Sequence, residues 1–143
     1  MSLSNIFDVA GSGMTAQTIR LNTISSNIAN AESVSSSTGE TYKARHPVFS
    51  VIKGQFDDFD FSNHGDAGSG VRVDAIVESQ SPLRQQYQPD HPMANKEGFV
   101  FYPNVNVVEE MADMISASRS FETNIEMMNT AKQLTQRILT LGQ

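Results

Sequence analysis

The chain has 143 residues, a formal net charge of −6 at pH 7, 38% apolar and 18% charged residues, and no cysteine. This length fits one ordinary domain. No run approaches the roughly 18 consecutive apolar residues of a membrane-spanning helix, so direct membrane insertion is not expected. The acidic balance argues against a nucleic-acid partner, because phosphate binding requires clustered Lys and Arg. The lack of cysteine excludes disulfides, thiol catalysis and zinc–thiolate sites.

The N-terminal segment, residues 1–31, predicts one long helix that begins near Ser2 or Ser4 and ends at about Asn30. Its stripe follows coiled-coil steps of three and four: Leu3, Phe7, Ala10, Met14, Gln17, Leu21, Ile24, Ile28 and Ala31. Asp8 and Arg20 are the only charges in this segment. Because a solvated helix usually carries more charge, we expect most of its faces to be covered, in part by other subunits.

Two glycines lie inside this helix, Gly11 and Gly13. Each costs about 1 kcal/mol of helix propensity relative to Ala. They indicate either a kink or later helix start, or a segment that orders only on assembly.

The middle segment, residues 32–104, is expected to be β-rich, with an exposed acidic loop at residues 56–70. The strand candidates are Tyr42–Ile52, Val71–Val77, Leu83–Tyr87 and Phe99–Tyr102. Alternation of Val71, Val73, Ala75 and Val77 with other residues predicts a half-buried strand.

The C-terminal segment, residues 105–143, predicts a second helix of about 36 residues, capped by Asn106 with Glu109 three positions later. Its stripe consists of Met111, Met114, Ser118, Phe121, Ile125, Met128, Ala131, Leu134, Ile138 and Leu141. The predicted fold is therefore mainly α. Long N- and C-terminal helices pair as a coiled coil, and a small β hairpin or sheet lies between them.

No pattern in the chain indicates catalysis, a cofactor or a metal. A calcium loop starting at Asp58 would need glycine at position six and glutamate at position twelve, where the chain has Asn63 and Ser69. The three histidines are isolated from one another and lack the spacing of a metal-binding helix. We expect no enzyme activity.

Two sequence runs carry a family resemblance. SGMTAQTIRLNTISSNIANAES resembles the N-terminal motif of the bacterial flagellar rod and hook family of axial proteins, and VNVVEEMADMISASRSFETNIEMMNTAKQLTQRILTLGQ resembles its closing helix. YKARHPVF and VESQSPLRQQYQPDHPMANKEGFVFYPNVNVVEEM are similar to the proximal-rod branch of that family.

The resemblance implies a structural subunit of the proximal rod of the flagellar basal body. Such a subunit self-assembles through its terminal helices into the drive shaft that crosses the periplasm and transmits torque. It is exported by the flagellar type III apparatus without a cleaved signal peptide. The implied partners are other copies of the chain, other proximal rod subunits, the rod-to-membrane-ring adaptor, the distal rod and the export apparatus.

The stripes and the family motifs together predict the residues of subunit packing. Asn27, Ala29 and Asn30 match the family's Asn-x-Ala-Asn core. The predicted packing residues are Met14, Arg20, Leu21, Ile24, Asn27, Ile28, Asn30, Met114, Arg119, Phe121, Asn124, Ile125, Met128, Leu134, Ile138 and Leu141.

Two other functions fit parts of the sequence. A coiled-coil adaptor or export chaperone of a type III secretion system would show the same stripes, but it would form a small closed oligomer. A hydrolase would have to use the acidic loop, in particular Asp57, Asp58 and Asp60.

Overall fold

The computed structural model describes residues 3–52 and 70–141. In chain order the elements are α1 (Leu3–Asn30), β1 (Arg45–Ile52), β2 (Gly70–Glu78), β3 (Arg84–Tyr87), β4 (Phe99–Tyr102) and α2 (Val107–Leu141). The two long helices pack against each other, and the strands lie between them in the chain. The predicted fold class is confirmed. The division into segments 1–31, 32–104 and 105–143 stays a prediction, and the acidic loop predicted at 56–70 lies outside the described residues except for Gly70.

Helix α1 runs for 28 residues without interruption through Gly11 and Gly13. The later helix start considered from the sequence is not found. Its polar side chains bond back to carbonyl oxygens of the preceding turn, as in the bonds from Thr15 to Gly11 and from Thr18 to Met14. These local bonds satisfy hydroxyl groups on a helix face that carries few charges.

Helix α2 runs for 35 residues, and its start is capped as predicted. The Asn106 side-chain oxygen accepts a hydrogen bond from the backbone N–H of Val108 at 3.2 Å. Glu109 and Glu110 occupy the first turn, where the positive end of the helix dipole favours acidic groups.

Strands β1 and β2 form a two-stranded antiparallel ribbon, paired from Arg45 with Glu78 to Ile52 with Gly70. The ribbon packs on α1. The predicted half-buried face of β2 is correct only at Val71 and Val73, which are partly covered. Ala75 and Val77 are exposed, and no second layer formed by the described residues covers them.

Strands β3 and β4 form a second antiparallel pair, joined to the chain after α1 by a bridge between Ser35 and Phe101. A small core of Ala31, Ala44 and Val105 lies where α1 ends and α2 begins. Asn104 stabilises this region: its side-chain oxygen accepts from the Ala44 N–H at 2.8 Å, and its amide donates to the Ser81 carbonyl at 2.8 Å. This small core and the Asn104 hydrogen bonds therefore lie at one end of the helix pair, where α1 ends and α2 begins.

Candidate assembly interface

Three cross-helix contacts define how α1 and α2 pair. Arg20 forms an ion pair with Asp113 at 2.8 Å, and Asn27 donates to Glu110 at 2.9 Å. Gly13 lies against Asn124, whose Nδ2 would be 2.9 Å from a Cβ added at Gly13. Since the partner's number falls as the α1 number rises, the helices are antiparallel.

Asn27 is the centre of the polar part of this interface and is 0% exposed. Its amide nitrogen donates to the Arg45 carbonyl at 2.8 Å and to Glu110 Oε1 at 2.9 Å. Its oxygen accepts from the Arg45 N–H at 2.9 Å and from the Tyr42 hydroxyl at 2.8 Å. All four hydrogen-bonding positions of the amide are used, so one side chain joins α1, β1 and α2.

Glu110 is the acidic partner in this network and is 5% exposed. Burial raises the pKa of its carboxyl, while the hydrogen bond from Asn27 and the nearby His46 act in the opposite direction. Its second oxygen, Oε2, is buried without a hydrogen-bond partner among the described residues. The protonated, neutral form of this carboxyl is therefore favoured compared with an exposed glutamate.

Small and polar residues form part of the seam between the helices: Gly13 faces Asn124, Arg20 faces Asp113, and Asn27 faces Glu110. Buried small residues on the two helices include Ala10 and Ala16 on α1 and Ala117 and Ala131 on α2. Small side chains let two helices approach closely, because the interaxial distance depends on the side chains at the contact. Two large apolar side chains that the stripe predicted to fill the seam are not fully buried: Leu21 and Ile28 are only half-buried.

The predicted packing residues divide by burial within the single chain. Ile24 and Asn27 are buried. Those half-buried are Met14, Arg20, Leu21, Ile28, Asn30, Met114, Phe121, Asn124, Ile125 and Met128. Arg119, Leu134 and Ile138 are exposed, and the side chain of Leu141 lies outside the described part. The role of all these predicted packing residues in contacts between subunits stays a prediction.

Sequence reasoning missed two connections. Glu110 was not predicted as a packing residue, and no local pattern distinguishes it from its neighbour Glu109, which is exposed. Ser12 was not predicted to make a contact, yet its hydroxyl accepts a hydrogen bond from the Val71 N–H at 3.1 Å. This bond attaches the start of β2 to α1. Gly70 adopts φ 148°, and a Cβ there would clash with Ser12 Oγ, so this close approach requires glycine.

No helix in residues 3–52 and 70–141 has the length and apolar character needed to cross a membrane. The same residues contain no group of three His, Asp or Glu side chains placed to hold a metal ion. The contacts described between α1 and α2 are those of a packing interface.

Comparison with known proteins agrees with this geometry. A family model described as "Flagella basal body rod protein" matches residues 7–34, and one described as "Flagellar basal body rod FlgEFG protein C-terminal" matches residues 96–141. The chain is 46% identical over 143 residues to flagellar basal-body rod protein FlgC of Salmonella typhimurium, with each chain covered completely. The chain belongs to the FlgC family of flagellar basal-body rod proteins.

Other family members show how far the similarity extends. FlgC of Escherichia coli O6:H1 is also 46% identical, with both chains covered completely. FlgC of Borreliella burgdorferi is 39% identical over 153 residues, covering 100% of this chain and 99% of the relative. The family similarity therefore includes the strands as well as the helices. The two family models match α1 from Phe7 onward and all of α2.

Proposed function

We propose that this chain is a structural subunit of the proximal rod of the flagellar basal body and assembles through α1 and α2. The observation that carries the proposal is the 46% identity over the full length of FlgC proteins. The packing supports it. The helices meet through small and polar residues, while large apolar side chains on α2 such as Val108, Met111 and Ile115 are exposed. These side chains are available to neighbouring subunits.

A role in transmitting torque fits the shape of the helix pair. At 1.5 Å per residue, α2 is about 52 Å long and α1 about 42 Å. Long antiparallel elements distribute contacts with neighbours over many residues, so no single contact has to carry the load. Further copies of the chain, other rod subunits, the rod-to-membrane-ring adaptor and the distal rod are the proposed partners, with the flagellar type III apparatus as the export route.

A structural role requires no reactive centre. The relatives are named as rod proteins, and the described residues hold no metal-binding cluster. Asp57, Asp58 and Asp60, the residues on which a hydrolase would depend, lie outside the described ranges. Replacing all three with Asn should leave rod assembly and motility unchanged.

The proposal is tested by deleting the gene in the source bacterium and restoring it in trans. We expect the restored strain to swim, and mass spectrometry of purified basal bodies to find the chain in the rod fraction. Ile24→Asp, at a buried seam position, should abolish both results, whereas the exposed neighbour Asn22→Asp should not. Finding the chain only in the soluble fraction, as a closed oligomer bound to export components, would favour an adaptor or chaperone and overturn the proposal.

A further inference from the structure

Strand β3 has one edge that no other described strand covers. It pairs with β4 along one side only, and Phe101 of β4 exchanges two backbone hydrogen bonds with Ser35 on the far side. In an antiparallel pair, residues directly opposite each other point their N–H and C=O groups either both inward or both outward. Gln85, opposite Phe101, therefore points its backbone groups away from β4, and so does Tyr87 two residues later. Neither backbone is hydrogen-bonded to another part of the described chain.

In the β1–β2 ribbon, by contrast, side chains block parts of both edges. The Asn27 amide bonds both the N–H and the carbonyl of Arg45, and Pro47 has no N–H to offer. Ser12 accepts from the Val71 N–H at the start of β2. Natural sheets block free edges because an open edge accepts a further strand. Among the described residues β3 has no such blocking group: its sequence, RQQY, is exposed throughout and contains no proline.

A cleft of about 500 Å³ lies beside the free edge of β3. Gln85 and Phe101, which are paired across β3 and β4, line it together with Leu83. Among the described residues that line the cleft, only Lys43 is charged. Lys43 forms no ion pair within residues 3–52 and 70–141. A cation without a counter-ion, in a chain of net charge −6, favours an acidic group in the cleft.

We propose that an extended segment of a second protein adds to the free edge of β3 and places an acidic side chain in the cleft beside Lys43. Its backbone bonds the outward N–H and C=O groups of Gln85 and Tyr87, and such main-chain bonds supply the affinity of an added strand. One of its alternate side chains packs on the Tyr87 ring, which is 65% exposed and lies edge-on to Phe99 at 5.3 Å. This inference rests on the proposed function, since it specifies one partner contact of the rod subunit.

A second copy of the chain does not offer such a segment among its described residues. Strand β3 contains Arg84 and no acid, and β1 and β4 contain no acid either. Strand β2 contains Asp74 and Glu78, but Asp74 is paired with Arg72 and Glu78 with Arg45 of the same ribbon. The acidic group that the cleft favours therefore points to a different protein as the occupant.

Gln85→Pro tests the contact at the backbone. Proline removes the outward N–H at this position, whereas the bonds between β3 and β4 are made by Arg84, Gln86 and Gln88 and remain. Gln85→Thr is the matched control, because threonine also replaces the side chain but keeps the N–H and suits a strand. Both purified full-length variants should melt close to the wild type, since the changed position is exposed.

The variants are then expressed in the source bacterium with its own gene deleted. Gln85→Pro should lower incorporation into basal bodies roughly tenfold, the effect of losing one hydrogen bond at a binding site. Gln85→Thr should be incorporated like the wild type. Lys43→Glu should also lower incorporation, because it places an acid where the partner's acid lies. Lys96→Glu, the same charge reversal at an exposed position outside the cleft, should have no effect.

A photo-cross-link identifies the occupant. Tyr87 is replaced by the photoreactive p-benzoylphenylalanine, living cells are irradiated, and mass spectrometry identifies the product. We expect a product with another basal-body protein, joined within a segment that contains Asp or Glu, and we expect Gln85→Pro to remove this product.

Incorporation of Gln85→Pro at the wild-type level would overturn the inference, and so would a product made of two copies of this chain. If Gln85→Pro does not fold, the cross-link and the Lys43→Glu variant decide. A chain that is present in basal bodies but forms no product at Tyr87 would refute this contact alone. A chain that is absent from basal bodies, although it forms the product elsewhere in the cell, would refute the proposed function alone.

Discussion

Asn27 on α1 and Glu110 on α2 are joined by a 2.9 Å hydrogen bond between two buried side chains. The residues are 83 positions apart in the chain, so this bond connects its two ends. The same amide also holds the start of β1 through the backbone of Arg45. The helix pair and the ribbon are therefore positioned by one shared polar residue, and changes to this residue should affect both.

Asn27→Ala should destabilise the chain by about 2–3 kcal/mol, because the Arg45 backbone, the Tyr42 hydroxyl and the buried Glu110 carboxyl each lose a hydrogen bond. Urea denaturation followed by circular dichroism measures the change. Asn22→Ala, an exposed position one and a half turns earlier, serves as control and should change stability by less than about 0.5 kcal/mol. Equal effects of the two substitutions would mean that the network contributes nothing specific.

Glu110→Gln should make stability less dependent on pH. Burial raises the pKa of this carboxyl above its ordinary 4.5. The folded chain therefore holds the proton more tightly than the unfolded chain. The contribution of Glu110 is most favourable below pH 4.5 and is lost as the pH rises through the raised pKa.

The measurement is the melting temperature of both proteins between pH 4 and pH 8. The advantage of Glu110→Gln over the wild type should grow as the pH rises from 4.5. The exposed neighbour Glu109→Gln should show no such growth. A constant difference between Glu110→Gln and the wild type would contradict the direction of the pKa shift.

Gly11→Ala and Gly13→Ala should have different effects, although the two sites are two residues apart. Alanine adds about 1 kcal/mol of helix propensity at either site. A Cβ at Gly11 meets nothing within 4 Å, whereas at Gly13 it lies 2.9 Å from Asn124 Nδ2. Chemical denaturation should show Gly11→Ala to be stabilising and Gly13→Ala to be neutral or destabilising. Equal stabilisation by both would show that Asn124 moves aside without cost.

Ile24→Asp should destabilise the chain by several kcal/mol, on the order of 3, because it places a carboxylate without a partner in the seam. Ile125→Asp should cost less, since Ile125 is only half-buried in the single chain. Thermal melting of the purified variants compares the two. If Ile125→Asp is tolerated in the monomer but prevents rod assembly, Ile125 is covered by a neighbouring subunit.

Local patterns predicted the elements of this fold well. The end of α1 at Asn30 and the start of α2 after Asn106 follow from helix periodicity and capping, both of which act over a few neighbouring residues. The face used for pairing was predicted less well. Gly13, which is outside the predicted stripe, lies against Asn124 of α2, while Leu21 and Ile28, which are in the stripe, are only half-buried. A prediction from periodicity favours large apolar residues at the helix contact, whereas two helices that approach closely need small residues there.

By itself the sequence determined that two long helices at the chain ends bracket a β-rich segment, and its motifs were enough to indicate the flagellar rod family. Only the tertiary structure decided the antiparallel register of the two helices and the burial of Glu110 beside Asn27. Secondary structure depends on interactions between residues close in the chain. The register of two helices depends on side chains about 80 to 110 positions apart, such as those of Gly13 and Asn124 or Asn27 and Glu110, so no local spacing contains it.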